Sequence, residues 1–205
     1  MFLRYSLPVL LLAALAIGQP VIPYDSAMDS RVSVDGYIDH EEQEYPASYA
    51  DKAAGLTCYW GFDDSLIYVG IETKGRGWMA IGFGSPKMHE ANIIIGYYTD
   101  DSTEVTNQTG TNWTHVNSAH SDSAIREAEI EFDDETGVTT MEFIYPLQFP
   151  PVKGLAVPGL TPGDTYDVIL AQNTKSFSFN AKHTNKSVLK VQFAPNPGVK
   201  VEGEK

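Results

Sequence analysis

An all-β sandwich is the fold class that the 205-residue chain predicts. Three observations carry it. Turn signals recur at intervals of roughly 8 to 12 residues, the rhythm of a sandwich or barrel. The segments between them alternate in polarity or are dense in β-branched and aromatic residues, which suit a pleated surface. No segment longer than about ten residues carries an apolar stripe at helical spacing without a Gly or Pro in it.

The elements follow in chain order. Residues 19 to 30 have little periodicity and read as a lead-in segment to a domain over 31 to 194. Gly55-Leu56-Thr57-Cys58-Tyr59-Trp60-Gly61-Phe62 alternates, and Asp63-Asp64-Ser65 turns it into Leu66-Ile67-Tyr68-Val69-Gly70-Ile71, a strong hairpin signal. A second turn, Lys74-Gly75-Arg76-Gly77, leads to strands from Trp78 to Gly84 and from Ala91 to Tyr98. Ile125 to Phe132 and Val138 to Tyr145 make a further hairpin about Asp133-Asp134-Glu135-Thr136-Gly137. The stretch from Pro146 to Asp164, rich in Pro and Gly, is a loop crossing between sheets. Strands near Asp167 to Gln172 and Ser187 to Phe193 close the domain, and residues 195 to 205 form a polar tail. The acid pairs Asp63-Asp64, Asp100-Asp101 and Asp133-Asp134 fall at turns, where short carboxylates satisfy backbone donors, and are read as turn chemistry.

Ahead of the domain, one basic residue, Arg4, precedes the apolar run Leu7 to Ala16 and the small residues Ala16-Ile17-Gly18. That run is short of the roughly 20 residues a membrane span needs, so residues 1 to 18 read as a cleaved secretory signal, and the mature chain as secreted or extracytoplasmic without membrane insertion. The chain has 27 acidic and 14 basic residues, a formal charge of −13, and no basic cluster of the kind that displaces counterions from phosphates. Nucleic acid is therefore excluded as a partner. The single cysteine, Cys58, closes no internal disulfide and shares strand parity with Leu56, Trp60 and Phe62, a buried position rather than a reactive thiol. Three sequons, Asn107-Gln108-Thr109, Asn112-Trp113-Thr114 and Asn185-Lys186-Ser187, fit an exported glycoprotein.

Hydrolytic chemistry finds no support. The nucleophile-elbow pattern Gly-x-Ser-x-Gly is absent, and His89-Glu90 does not continue into a zinc-protease motif. Cys58 lies too early in the chain for a type-1 copper site. The protein reads as a redox carrier or a binding module, not as an enzyme.

The order Gly77-Trp78-Met79-Ala80-Ile81-Gly82-Phe83-Gly84, then Met88, then Ala91-Asn92-Ile93-Ile94-Ile95-Gly96-Tyr97 resembles the centre of the DOMON domain family. Asp35-Gly36-Tyr37-Ile38 before Glu44-Tyr45-Pro46 resembles the family's start. Gly137 to Phe143 with Pro146-Leu147 resembles its later hairpin, and His183 before Ser187-Val188-Leu189-Lys190-Val191 its end. The resemblance implies an immunoglobulin-like antiparallel β-sandwich that binds haem b or, in some members, sugars. In the haem-binding branch, of the kind in the cytochrome domain of cellobiose dehydrogenase, one Met and one His clamp the iron; by motif position these are Met88 and His183. Trp78 and Phe83, with Ile93 or Ile95, are the expected walls around the macrocycle.

A polarisable thioether favours ferrous iron while an imidazole holds both oxidation states, so a Met/His pair fills both axial positions and leaves none for substrate. The function expected is one-electron transfer with a redox partner protein or a small electron donor or acceptor, the acidic surface steering a basic partner. His89 is an alternative second ligand. The second reading is a haem-free module for carbohydrate or another small ligand, stacking sugar rings on Tyr97, Tyr98 or Trp113. His115 and His120 fall in a polar stretch and are expected in solvent.

Overall fold

The computed structural model describes residues 18–117 and 124–198. Residues 1–17, which hold all but the last position of the expected signal, residues 118–123 with His120, and residues 199–205 lie outside them. Among the described residues there are twelve strands and one short helix. The strands are β1 (Val21–Ile22), β2 (Ala47–Asp51), β3 (Leu56–Phe62), β4 (Leu66–Lys74), β5 (Trp78–Phe83) and β6 (Asn92–Tyr98), followed by β7 (Thr103–Thr111), β8 (Thr114–Asn117), β9 (Glu127–Asp133), β10 (Val138–Pro146), β11 (Thr165–Asn173) and β12 (Asn185–Phe193). The helix, α1, is Met28–Arg31.

Two sheets form from them. The larger has seven strands in the order β1-β12-β11-β5-β6-β7-β8, and the smaller has five in the order β2-β3-β4-β10-β9. Every pairing is antiparallel except the two-residue edge strand β1, which runs parallel to β12. The lead-in segment is thus part of the sandwich: β1 extends the larger sheet, and Tyr24 bridges to Phe62 in the smaller. The Pro- and Gly-rich stretch does cross between sheets, carrying the chain from β10 to β11.

Alternation decides what lies between the layers. Leu56, Cys58, Trp60 and Phe62 of β3 turn inward with Ile67, Val69 and Ile71 of β4 and Met141, Phe143 and Tyr145 of β10. Met79, Ile81 and Phe83 of β5 meet them from the larger sheet, with Ile94, Val168, Leu170, Val191 and Phe193. Each such side chain is worth roughly 1.5–3 kcal/mol of burial, so packing alone holds a core that has no disulfide. Trp60 stacks on Tyr49 at its centre. Cys58 is buried, and desolvation pushes its thiol well above the usual range, so it is inert. A polar thread also passes through the interior: Tyr145 Oη donates to Asn107 Oδ1 (2.9 Å), and Asn107 Nδ2 donates to Asn92 Oδ1 (2.8 Å) and to the Ile93 carbonyl (3.0 Å).

The outer faces differ. Over the smaller sheet lies a strap, residues 32 to 46, whose Ile38 and Tyr45 pack on Tyr68 and Ile144 together with Met28 of α1. Gly70 makes this approach feasible, because a Cβ there would stand 2.7 Å from Ile38 Cδ1. Two buried carboxylates fasten the strap. Glu142 accepts from Gly36 N (3.0 Å), Asp35 N (3.3 Å) and Tyr45 Oη (2.8 Å), while Glu44 accepts from Ser33 N (2.8 Å) and Asp39 N (2.9 Å). Burial pushes the Glu142 carboxyl up to about 7, against the Tyr45 hydrogen bond, which favours the ionised form. Among the described residues the larger sheet carries no such cover.

Candidate functional site

The outward positions of β5 are Trp78, Ala80 and Gly82, and those of β6 are Ile93 and Ile95; with Ile169 and Ala171 of β11 they floor a cavity of about 500 Å³. That lies within the roughly 300–1,000 Å³ typical of cofactor and ligand sites. Two loops and a hairpin wall it in. The loop after β5 contributes Pro86, Lys87, Met88 and His89, the β7–β8 hairpin Asn112, Trp113 and His115, and the entry to β12 His183, Lys186 and Val188.

The loop bearing Met88 is tied down from several sides. Gly84 turns the chain out of β5 at φ +88°, its N–H donating to the Asp167 carbonyl (2.9 Å). Ser85 Oγ donates to the His89 carbonyl (2.7 Å), and Glu90 N donates to Gly110 O (2.9 Å). Gly110 lets β7 run directly beneath this loop, since a Cβ on it would fall 1.5 Å from the Met88 carbonyl oxygen. Met88 is half-buried against the apolar floor, not sunk in the inter-sheet core.

His183 is held by its neighbours in the same manner. Asn173 Nδ2 donates to the Lys182 carbonyl (2.8 Å), and Thr184 N donates to the Gln172 carbonyl (2.8 Å), pinning the chain on both sides of the imidazole. Burial, then the nearby Lys186 and Lys182 charges, hold His183 below the usual histidine range, so at neutral pH its ring is unprotonated and has a lone pair to offer. Met88 and His183, far apart in sequence, therefore line one cavity.

Trp78 also lines it, only 5% exposed, and its indole Nε1 is buried without a hydrogen-bond partner. A buried N–H left unpaired costs about 1–3 kcal/mol. Phe83 does not belong with it. Odd-numbered β5 residues face the other sheet, so Phe83 packs in the inter-sheet core at 1% exposure and is absent from the cavity wall.

Two features had no clear sequence signal. His115 is not in solvent: it is half-buried, its Nδ1 against the Gln108 side-chain amide and its Nε2 3.0 Å from the Phe179 carbonyl, and burial lowers its pKa. It clamps β8 to the loop before β12 and closes one side of the cavity. The polar run Thr103 to Thr111, with no apolar alternation, nevertheless forms β7. At the hairpin tip Asn112 adopts φ +52°, its N–H donates to His89 Nδ1 (3.0 Å), and Trp113 is 95% exposed on the rim. Tyr97 and Tyr98, the other candidate sugar platforms, point apart: Tyr97 packs on Phe177 and Phe179, whereas Tyr98 lies by Phe132 and under Arg76.

The family model for the DOMON domain matches residues 52–175. The chain belongs to the DOMON domain family. Among solved structures, this DOMON domain is similar to the cytochrome b domain of pyranose dehydrogenase from Coprinopsis cinerea, at 9% identity and TM-score 0.56, over 70% of this chain and 79% of that one. It is also similar to the cytochrome domain of Myriococcum thermophilum cellobiose dehydrogenase (16% identity, TM-score 0.49, 74% and 91% covered). A carbohydrate binding module of family 9 from Caldicellulosiruptor kristjanssonii, solved with glucose, matches at 11% identity and TM-score 0.47, with 89% and 98% covered. These likenesses are of fold. No curated protein matches the chain. No helix among the described residues of this DOMON domain is long and apolar enough to cross a membrane.

Proposed function

We propose that this DOMON domain is an exported b-type cytochrome module that holds haem b in the cavity on its larger sheet and passes single electrons. The supporting observation is that Met88 and His183, the family-position ligands, line the same cavity over an apolar floor. The residues fit the group. A thioether and an unprotonated imidazole are the donors a low-spin iron takes, and Ile93, Ile95 and Ile169 give a flat macrocycle apolar walls. Bound haem supplies a one-electron couple at a single iron.

The chain's own residues do the rest. Met88 offers a soft sulphur that favours the reduced metal, held in place by the contacts of its loop with β7. His183 keeps its lone pair free because burial and two lysines discourage its protonation. The isoleucine floor excludes water, lowering the reorganisation that electron transfer requires. Were Met88 and His183 both to hold the iron, the protein would supply its ligands and the group would lend the domain a one-electron couple rather than a place to transform a substrate.

A second reading has one observation of its own: Trp113 stands 95% exposed at the cavity rim, as a stacking platform for a sugar ring would. Visible spectra of the purified protein supplied with haem, before and after dithionite, separate the two. The cytochrome reading expects a sharp low-spin band set that M88A and H183A each convert to high-spin or abolish. An unchanged low-spin spectrum in both variants overturns the ligand assignment. A bare spectrum together with oligosaccharide binding that survives M88A and fails in W113A supports the carbohydrate reading instead.

A further inference from the structure

The charge of this protein is not spread evenly about its site. Acids outnumber bases by 27 to 14 along the chain, yet among the described residues the cavity is lined by Lys87, Lys186, His89, His115 and His183 and by no Asp or Glu. Lys87 and Lys186 are exposed and, among the described residues, neither they nor Lys182 makes an ion pair. Glu90 lies 3.7 Å from His89 Nε2, and Asp167 is paired with Lys190 at 3.0 Å.

The same rim is apolar as well as basic. Trp113 is 95% exposed and Val188 52% exposed, both on the cavity wall. An exposed tryptophan bordered by unpaired lysines is the composition of a protein-docking hot spot, where the indole anchors and the charges steer. A small anion would use the lysines but would leave the projecting indole without a role.

We infer that the cavity mouth is a docking surface for a partner protein presenting a carboxylate-rich face, the reverse of what the net charge of the chain implies. The inference rests on the cavity being the place of exchange, and it names the partner chemistry of that site. Charges within a Debye length of about 10 Å at 0.1 M salt dominate an approaching surface, so the local lysines outweigh the remote acids.

Fluorescence tests it on the full chain without haem. The sequence has three tryptophans, and Trp60 and Trp78 are 0% and 5% exposed, so aqueous quenchers read Trp113. At low and equal ionic strength, K87Q/K186Q should weaken iodide quenching of Trp113 and strengthen caesium quenching, each relative to the unaltered chain. Hexaglutamate should shift Trp113 emission, with the effect lost in 0.3 M salt and in K87Q/K182Q/K186Q, while hexalysine should not. Iodide and caesium quenching unchanged in K87Q/K186Q, a stronger effect of hexalysine, or a hexaglutamate effect indifferent to the lysine variants would each overturn the docking surface. So would an equal response to free glutamate at matched charge concentration, which indicates a small-anion site only. Because this arm contains no haem, loss of the cytochrome reading through unchanged M88A and H183A spectra leaves the peptide result standing. A positive haem spectrum with the peptide preference inverted removes only the docking inference.

Discussion

The outer face of the smaller sheet and the outer face of the larger one begin from the same materials, strands that alternate between a shared core and the outside. The first is covered by the chain itself. Its strap brings Ile38 and Tyr45 down onto Tyr68 and Ile144, and both buried carboxylates beneath it receive donors. The second stays open over about 500 Å³, lined by isoleucines, three histidines and two lysines, and the indole N–H of Trp78 is buried with no partner among the described residues. A face that has satisfied its own polar groups has nothing left to offer a ligand. Where one domain has both kinds of face, the unfinished one marks the site, whatever the ligand proves to be.

The comparison can be broken most forcefully from the covered side. Replacing Glu142 by Ala strips three donors of their acceptor, and with buried donors costing about 1–3 kcal/mol each, a loss of about 3–5 kcal/mol is expected. A melting curve should show a fall of roughly 10 °C, with haem or ligand binding on the far face retained by the folded protein. A Tm within about 2 °C of wild type would mean that the strap is not fastened there.

The pH dependence of stability follows from the same carboxyl. Glu142 is raised in the folded state, so its contribution is complete below the ordinary carboxylate range and disappears as pH climbs through about 7. Glu142's contribution to the unfolding free energy should therefore decline between pH 5 and 8, by at most about 3 kcal/mol, against the opposite slope of His115 and His183, whose lowered protonation favours the folded state as pH rises; the wild-type curve minus the E142Q curve should show the decline. Asp133, held low by Thr136 and Glu135, titrates beneath this window and does not contribute to it.

On the open face the expected effects on stability are smaller and those on binding larger. Gly110→Ala drives a methyl into the Met88 carbonyl and must displace that loop, at about 1–3 kcal/mol. Its distinctive result should be loss of ligand binding in a protein whose strap is unchanged by NMR. Trp113→Ala, at the fully projecting tip, should leave stability within about 0.5 kcal/mol and alter only events at the cavity mouth.

Much of this was legible beforehand because it depends on local pattern. The hairpin about Asp63-Asp64-Ser65 declares itself by alternation and by a carboxylate that caps its own turn, with Asp63 accepting from Ser65 N and Leu66 N at 2.8 Å each. Trp78 and Met88 were readable from one family motif, and they do meet at the cavity. Phe83 was misplaced because the motif gives residues without faces; one step of strand parity separates the floor of the cavity from the core of the sandwich. β7 was missed because its buried Thr106, Asn107, Gln108 and Thr109 are polar, so no alternation betrayed a strand. The role of His115 could not have been read from neighbours in sequence, since its partner carbonyl belongs to Phe179, on the other side of the cavity wall.

The interior asparagine of that polar thread bears on the order of events in the life of the chain. Asn107 heads an acceptor triplet for carbohydrate, but it is 1% exposed and grips Asn92 and the Ile93 carbonyl. Any transferase could reach it only before β6 and β7 zip together, and an oligosaccharide added then would have no room between the layers. Sugar on Asn107 and a closed sandwich are mutually exclusive states, whereas Asn112 and Asn185, both at the surface, impose no such choice.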